Sequence, residues 1–219
     1  FCLSRGLGDV YKRQLATRAH GLIFNCNYRM ESFAYVGSAY TCLATILQGQ
    51  SSTVLEAVNG VHMDGKTDDD VIALRVNVQR LEIIPINLKE FFDDLRVLSI
   101  YNSGLTTLSV EDLQYPNLDY LRVWRNQLTT IDGNLFSATP NLQYLDLDSN
   151  LLQEVGINLL SSLSELKFAD FFGNPCISVR ASTPEAIREL NEQLPISCPP
   201  RVTETTTETE PTTETEPTT

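Results

Sequence analysis

The 219-residue chain has only two histidines, His20 and His62, which leaves little for imidazole catalysis or a zinc site. It has no apolar run of about 18 residues, so it encodes no transmembrane helix. Basic residues are scarce: 16 against 28 acidic ones, a net charge of −12. That argues against nucleic acid or an anionic membrane as the main partner, since both attract basic surfaces. No Asn-x-Ser/Thr sequon occurs, so N-linked sugar is not expected. No G-x-S-x-G, P-loop or dinucleotide fingerprint is present. The expectation is a chain with no catalytic residues, no cofactor and no metal.

Two segments look unlike a fold. Phe1 to Gln14 has no sustained periodicity and resembles translated adapter sequence. Thr17-Arg18-Ala19 has small residues at the spacing a signal peptidase accepts, but the apolar stretch that should precede it is missing. At the other end, residues 201–219 hold ten threonines, five glutamates and two prolines. Such a segment cannot bury enough apolar area to offset the entropy of ordering, so disorder is expected. Thr with Pro reads as an O-glycosylated stalk, or else as a plain acidic linker. The chain stops within a run of Glu-Thr-Glu-Pro-Thr-Thr repeats, after the second copy, which leaves a longer natural chain open.

Between these ends the sequence repeats itself. Leu, Val or Ile recur in the order L-x-x-L-x-L-x-x-N-x-L at residues 71–81, 95–105, 118–128 and 142–152, with a fifth, looser copy at 166–176. The starts lie 24, 23, 24 and 24 residues apart. The fourth and sixth positions suit the inward side of a short strand, stacked on their copies in neighbouring coils. The ninth-position Asn126, Asn150 and Asn174 suit bonding to backbone groups of adjacent turns. Gln79 and Ser103 break that pattern, so the first two coils are expected to be less regular. The pattern is identified as a leucine-rich repeat array, an α/β solenoid with a parallel concave sheet.

Four of the five cysteines bracket the repeats: Cys26 and Cys42 before them, Cys176 and Cys198 after. Each pair closes a short loop, which typically stabilises by about 2–4 kcal/mol. A solenoid end exposes core, so a disulfide cap at each end meets a physical need and implies an oxidising compartment. The rival is four reduced core cysteines. A strand over Tyr40 to Leu47 is expected to pair with Phe24 to Tyr28. In the C-terminal cap, Thr183 or Ser182 should cap a helix that opens at Pro184, buries Ile187, Leu190 and Leu194, and stops at Pro195. The expected division is leader 1–22, N-terminal cap 23–70, repeats 71–175, C-terminal cap 176–199 and tail 200–219.

Asn174-Pro175-Cys176…Cys198-Pro199 after such repeats resembles secreted, cysteine-capped leucine-rich repeat proteins. The likeness is nearest to small arthropod extracellular members and more distant to Toll-type receptor ectodomains. It implies non-enzymatic recognition, in innate immunity or adhesion. The N-terminal cap departs from the common pattern in having two cysteines rather than four.

The third, fifth and seventh positions of each coil should face out of the sheet. They place Tyr101, Tyr120, Arg122, Trp124 and Tyr144 together at the centre of the concave surface, with Arg75, Ser99, Asp146 and Asp148 around them. Trp, Tyr and Arg dominate binding hot spots, so a protein ligand is expected on this face. The fifth column runs from Arg75 and Arg122 to Asp146 and Asp170, a change of sign that could fix a partner's register. The alternative is a matrix or surface-coat protein on a mucin-like stalk. His62 is expected to be a surface residue of a cap turn, and Asp64 with Asp68-Asp69-Asp70 a solvated acidic turn.

Overall fold

The computed structural model describes residues 21–46 and 53–200 of the protein. Of the expected leader 1–22 and tail 200–219, residues 1–20 and 201–219 lie outside the described residues; Leu22 is corrected to a buried core residue.

The chain opens with a long hairpin, β1 (Leu22–Phe33) and β2 (Gly37–Ile46). In β1 the alternate residues Leu22, Phe24, Cys26 and Tyr28 are buried, the period of a half-covered strand. Tyr28 pairs with Cys42 and Phe24 with Ile46, the pairing expected from the sequence. Gly37 closes the hairpin turn at φ 86°, a left-handed conformation that suits a residue without Cβ. A short β3 (Leu55–Gly60) adds parallel to β1.

Each coil then contributes one strand. These are β4 (Ala73–Asn77), β5 (Val97–Tyr101), β6 (Tyr120–Arg122), β8 (Tyr144–Asp146) and β10 (Phe168–Asp170). All pair parallel and in register, so Leu74, Leu98, Leu121, Leu145 and Ala169 form one inward row. They join one continuous core that runs from Leu22 to Cys198. A two-residue pair, β7 (Thr130–Ile131) with β9 (Glu154–Val155), lies outside the main sheet. The sheet ends on antiparallel β11 (Arg180–Ala181), giving the order β11-β10-β8-β6-β5-β4-β2-β1-β3.

The asparagines act as expected. Asn126 Oδ1 accepts from the Ser103 and Leu105 N–H groups, and its Nδ2 donates to the Ile100 carbonyl. Asn150 and Asn174 repeat this one and two coils on. The expected irregularity of the first two coils is corrected. Gln79 Oε1 accepts from the Ile46 N–H, and Ser103 Oγ bonds the Tyr101 carbonyl, so both stand in for asparagine. The strands of those coils are in fact the longer ones, five residues against three.

One recurrent feature had no signature in the template. The eighth position of every coil has positive φ: Val78 (54°), Asn102 (47°), Arg125 (53°), Ser149 (53°) and Gly173 (70°). The chain must leave each strand through a left-handed residue, and only the last coil uses glycine there.

Both ends are closed by disulfides, Cys26–Cys42 and Cys176–Cys198. The cap helix α1 (Pro184–Ser197) starts at Thr183, whose Oγ1 accepts from the Ala186 N–H. It runs through Pro195 rather than stopping there. Proline removes only one N–H, in the last turn, and buried Leu194 with disulfide-bonded Cys198 holds that turn on the core.

Two further expectations change in the N-terminal cap. His62 is stacked on Tyr28 at 3.9 Å and bonds Tyr40 Oη and Asp68 Oδ1, both at 3.0 Å. It is therefore a built-in packing residue, because the ring covers the end of the core beside Tyr28. Asp68 also accepts from Tyr28 Oη, and Asp70 accepts from the Thr67 N–H and from Lys66 Nζ. These two carboxylates hold the turn together instead of merely facing solvent.

Candidate partner-binding face

The in-register strands align three outward columns along the concave face. In the third column Ala73, Val97, Tyr120, Tyr144 and Phe168 are neighbours. Tyr120 stacks on Tyr144 at 4.2 Å and Tyr144 on Phe168 at 4.7 Å between ring centroids.

This column is covered. Ala39, Ala73, Val97 and Tyr120 are buried as a second apolar cluster, with Phe33 and Val36 of the hairpin packed against it. Phe33 meets Tyr120 edge-on at 5.5 Å, and Tyr35 meets Tyr144 at 6.4 Å. In a flat sheet β1 would lie four strands, roughly 19 Å, from β6. Contact therefore requires the hairpin tip to arch back over the face. β2 pairs with β4 only over Thr41 to Ala44, which frees the tip to do so. Glu31 ties the arch down by accepting from Arg75 Nη1 at 2.6 Å and from Arg29 Nε at 2.6 Å. Burial alone would push the Glu31 carboxyl up, but these two guanidiniums outweigh it and hold it below its ordinary value.

The fifth column reads Arg75, Ser99, Arg122, Asp146, Asp170 across adjacent strands. Its change of sign is largely satisfied within the molecule. Arg122 Nε donates to Asp146 Oδ2 at 2.9 Å and Arg180 Nε to Asp170 Oδ2 at 2.6 Å. Ser99 and Asp146 are each only 3% exposed. Burial raises the Asp146 carboxyl against the opposing pull of the Asp148 N–H and Arg122. Oxygens of Asp146, Asp148 and Asp170 lie within 4.8 Å of one another. Asp146 and Asp170 are already bonded to the Asp148 and Phe172 N–H groups and to the arginines, and Asp148 accepts from Ser149 Oγ, so hydrogen bonds and ion pairs within the protein engage all three carboxylates.

The seventh column is the uncovered one. Tyr101 and Trp124 stack at 4.3 Å with 17° between their planes. The Arg122 and Arg125 guanidinium carbons sit 4.2 Å and 5.0 Å from the Trp124 ring centre. Arg125 Nη1 also donates to Tyr101 Oη at 3.4 Å, at the long end of hydrogen-bonding range. Val78, 61% exposed, and Phe172, 54% exposed, flank the stack. The half-buried Asp148 lies in the same column, between Trp124 and Phe172.

The structure thus separates the predicted residues. Tyr101, Arg122 and Trp124 share the open strip, with Arg75 and Asp148 at its margins. Ser99, Tyr120 and Asp146 form buried floor, and Tyr144 lies under the hairpin. Sequence reasoning missed Phe33, Tyr35, Val78 and Arg125. Phe33-Ala34-Tyr35-Val36 is an apolar run at a hairpin tip, where no core is available, and that mismatch was the available clue.

Residues 116–175 match the family model described as leucine rich repeat, which spans the three asparagine-bearing coils. No curated protein sequence matches the chain. Among solved structures the chain is similar to the LRR ectodomain of the receptor kinase SOBIR1 from Arabidopsis thaliana. The identity is 17%, the match covers 79% of this chain and 83% of that one, and the TM-score is 0.31. No helix among the described residues is long and apolar enough to cross a membrane.

Proposed function

We propose that this leucine-rich repeat solenoid is a non-enzymatic extracellular recognition module that holds a protein partner on the uncovered strip of its concave face. The single observation that carries the reading is the open Tyr101–Trp124 stack backed by two guanidiniums. Such a group offers apolar area together with fixed donors, the combination that concentrates binding energy at interfaces. The two cap disulfides support work in an oxidising compartment. Immune recognition or adhesion is the setting we assign, on the likeness of the capped array. The repeats, their two caps and the Thr/Glu/Pro tail would then divide the labour between binding and display. The tail also supports the second reading, a surface-coat protein on a mucin-like stalk.

The test is a screen of the disulfide-bonded protein against extracellular proteins, repeated with Trp124→Ala and with Ile86→Ala on an exposed site away from the sheet. A partner that loses about 30-fold in affinity with Trp124→Ala and nothing with Ile86→Ala supports the reading. Equal binding by both variants removes the concave strip from consideration. Self-association without any heterologous partner would favour the coat protein.

A further inference from the structure

Between the arched hairpin and the sheet lies an open, polar recess of about 240 Å³, lined by Glu31, Phe33, Arg75, Ser99, Tyr120 and Arg122 among others. Its floor is the buried Ser99. On the strands to either side, in direct register, stand Arg75 and Arg122. Both arginine side chains keep solvent access, at 28% and 31% exposure.

The same column shows what these arginines engage. One strand further on, Asp146 occupies the fifth position beside Arg122 and accepts from its Nε at 2.9 Å. A carboxylate at this level therefore reaches an arginine on the adjacent strand. At Ser99 the side chain is too short to do so, although an arginine flanks it on both sides. Arg75 spends Nη1 on Glu31 and Arg122 spends Nε on Asp146, and a guanidinium carries five N–H donors. Arg29, Arg75 and Arg122 stand against Glu31 and Asp146, so one positive charge is in excess around the recess. This local sign is opposite to the net charge of −12.

We propose that the recess above Ser99 is a socket for one carboxylate, the Asp or Glu side chain of a protein partner, held between Arg75 and Arg122. The proposal rests on the concave face being the binding face and adds the chemistry it selects. Paired guanidiniums in a partly water-excluded recess favour a planar carboxylate by charge-assisted hydrogen bonds. Phe33 and Tyr120 wall the socket, so the arch contributes selectivity by limiting what enters.

The first arm of the test needs no partner. The protein is titrated with the capped peptide acetyl-Gly-Asp-Gly-amide, with its Asn counterpart and with sodium sulfate, following the Arg75 and Arg122 Nε–H and Ser99 amide resonances by NMR. Shifts with the Asp peptide and none with the Asn peptide are expected. No shift, or equal shifts with both peptides, overturns the proposal. A response to sulfate alone makes the site one for a free inorganic anion and also overturns it. The second arm is Ser99→Asp, which places the missing carboxylate on the chain itself, at a level where Asp146 and Asp170 already fit. It should raise the melting temperature and abolish the Asp-peptide shifts. A lower melting temperature or unfolding means that the charge finds no partner, and refutes the socket. Ser99→Leu fills the recess without charge and should abolish the shifts with no gain in stability. Retained shifts in Ser99→Leu place the peptide elsewhere. If Trp124→Ala loses the partner while the Asp peptide gives no shift, the face is the site and the socket is wrong. If the peptide binds while Trp124→Ala leaves partner binding intact, the socket stands and the strip is not the site.

Discussion

Replacing Trp124 with alanine separates an outward stack from an inward core residue. Truncation removes the stack on Tyr101, about 0.5–1.5 kcal/mol beyond area burial for such a pair. It also removes the contact with the Arg122 and Arg125 guanidiniums, about 0.5–1 kcal/mol each at an exposed site. Trp124 is half-buried, and its backbone carbonyl bond to Asn126 Nδ2 survives the change. The expected loss of stability is therefore about 1.5–3.5 kcal/mol. For a domain of this size that lowers the melting temperature by roughly 3–14 °C. This exceeds the small folding cost that an isolated outward side chain would carry. Leu121→Ala removes a fully buried residue and should cost about 2–5 kcal/mol. Thermal melts followed by circular dichroism, with the disulfides intact, measure both. In a double-mutant cycle with Tyr101→Ala, the two rings should couple by about 1 kcal/mol. An unchanged melting temperature in Trp124→Ala would mean that the stack contributes nothing. A loss as deep as that of Leu121→Ala, with no coupling to Tyr101, would place the ring in the core and refute the register.

Val78→Gly should stabilise the protein by about 1 kcal/mol, because a β-branched residue now sits at φ 54° in an exposed turn; an unchanged or lower denaturation midpoint counts against that strain. Glu31 lies below its ordinary value of 4.5, so its contribution is present above that value and is lost as pH falls through the carboxylate range. Glu31→Gln should accordingly be less stable than the parent at pH 7, with the difference shrinking as pH falls below 4.5; a difference that stays constant as pH falls would show that the arch is not held by this bridge.

The solenoid was legible because its signal is periodic and redundant. A misread residue in one coil is corrected by its copies, and the core rows of Leu98, Leu121 and Leu145 follow directly from spacing. The cap disulfides were legible for a similar reason, since four of the five cysteines, Cys26, Cys42, Cys176 and Cys198, bracket the array. The candidate site was legible only as columns. Which column stays open depends on where Phe33 and Tyr35 pack, and contacts such as Phe33–Tyr120 span 87 residues of chain that no local pattern encodes. The pairing within the fifth column is hidden on the same ground. Spacing places Arg122 and Asp146 on the outward side, but only the stacking of neighbouring coils brings them within hydrogen-bonding distance of each other. The left-handed eighth position escaped notice because Val78, Arg125 and Ser149 carry none of the usual glycine or asparagine signature.

The central claim is that partners bind the concave face across its open strip of Tyr101 and Trp124. Hydroxyl-radical footprinting of the aromatic side chains, with and without bound partner, tests it most directly. Trp124, Tyr101 and Phe172 should lose reactivity on binding, while Tyr115, buried in the core, should not change. Undiminished labelling of Trp124 and Phe172 in a saturated complex would contradict the account.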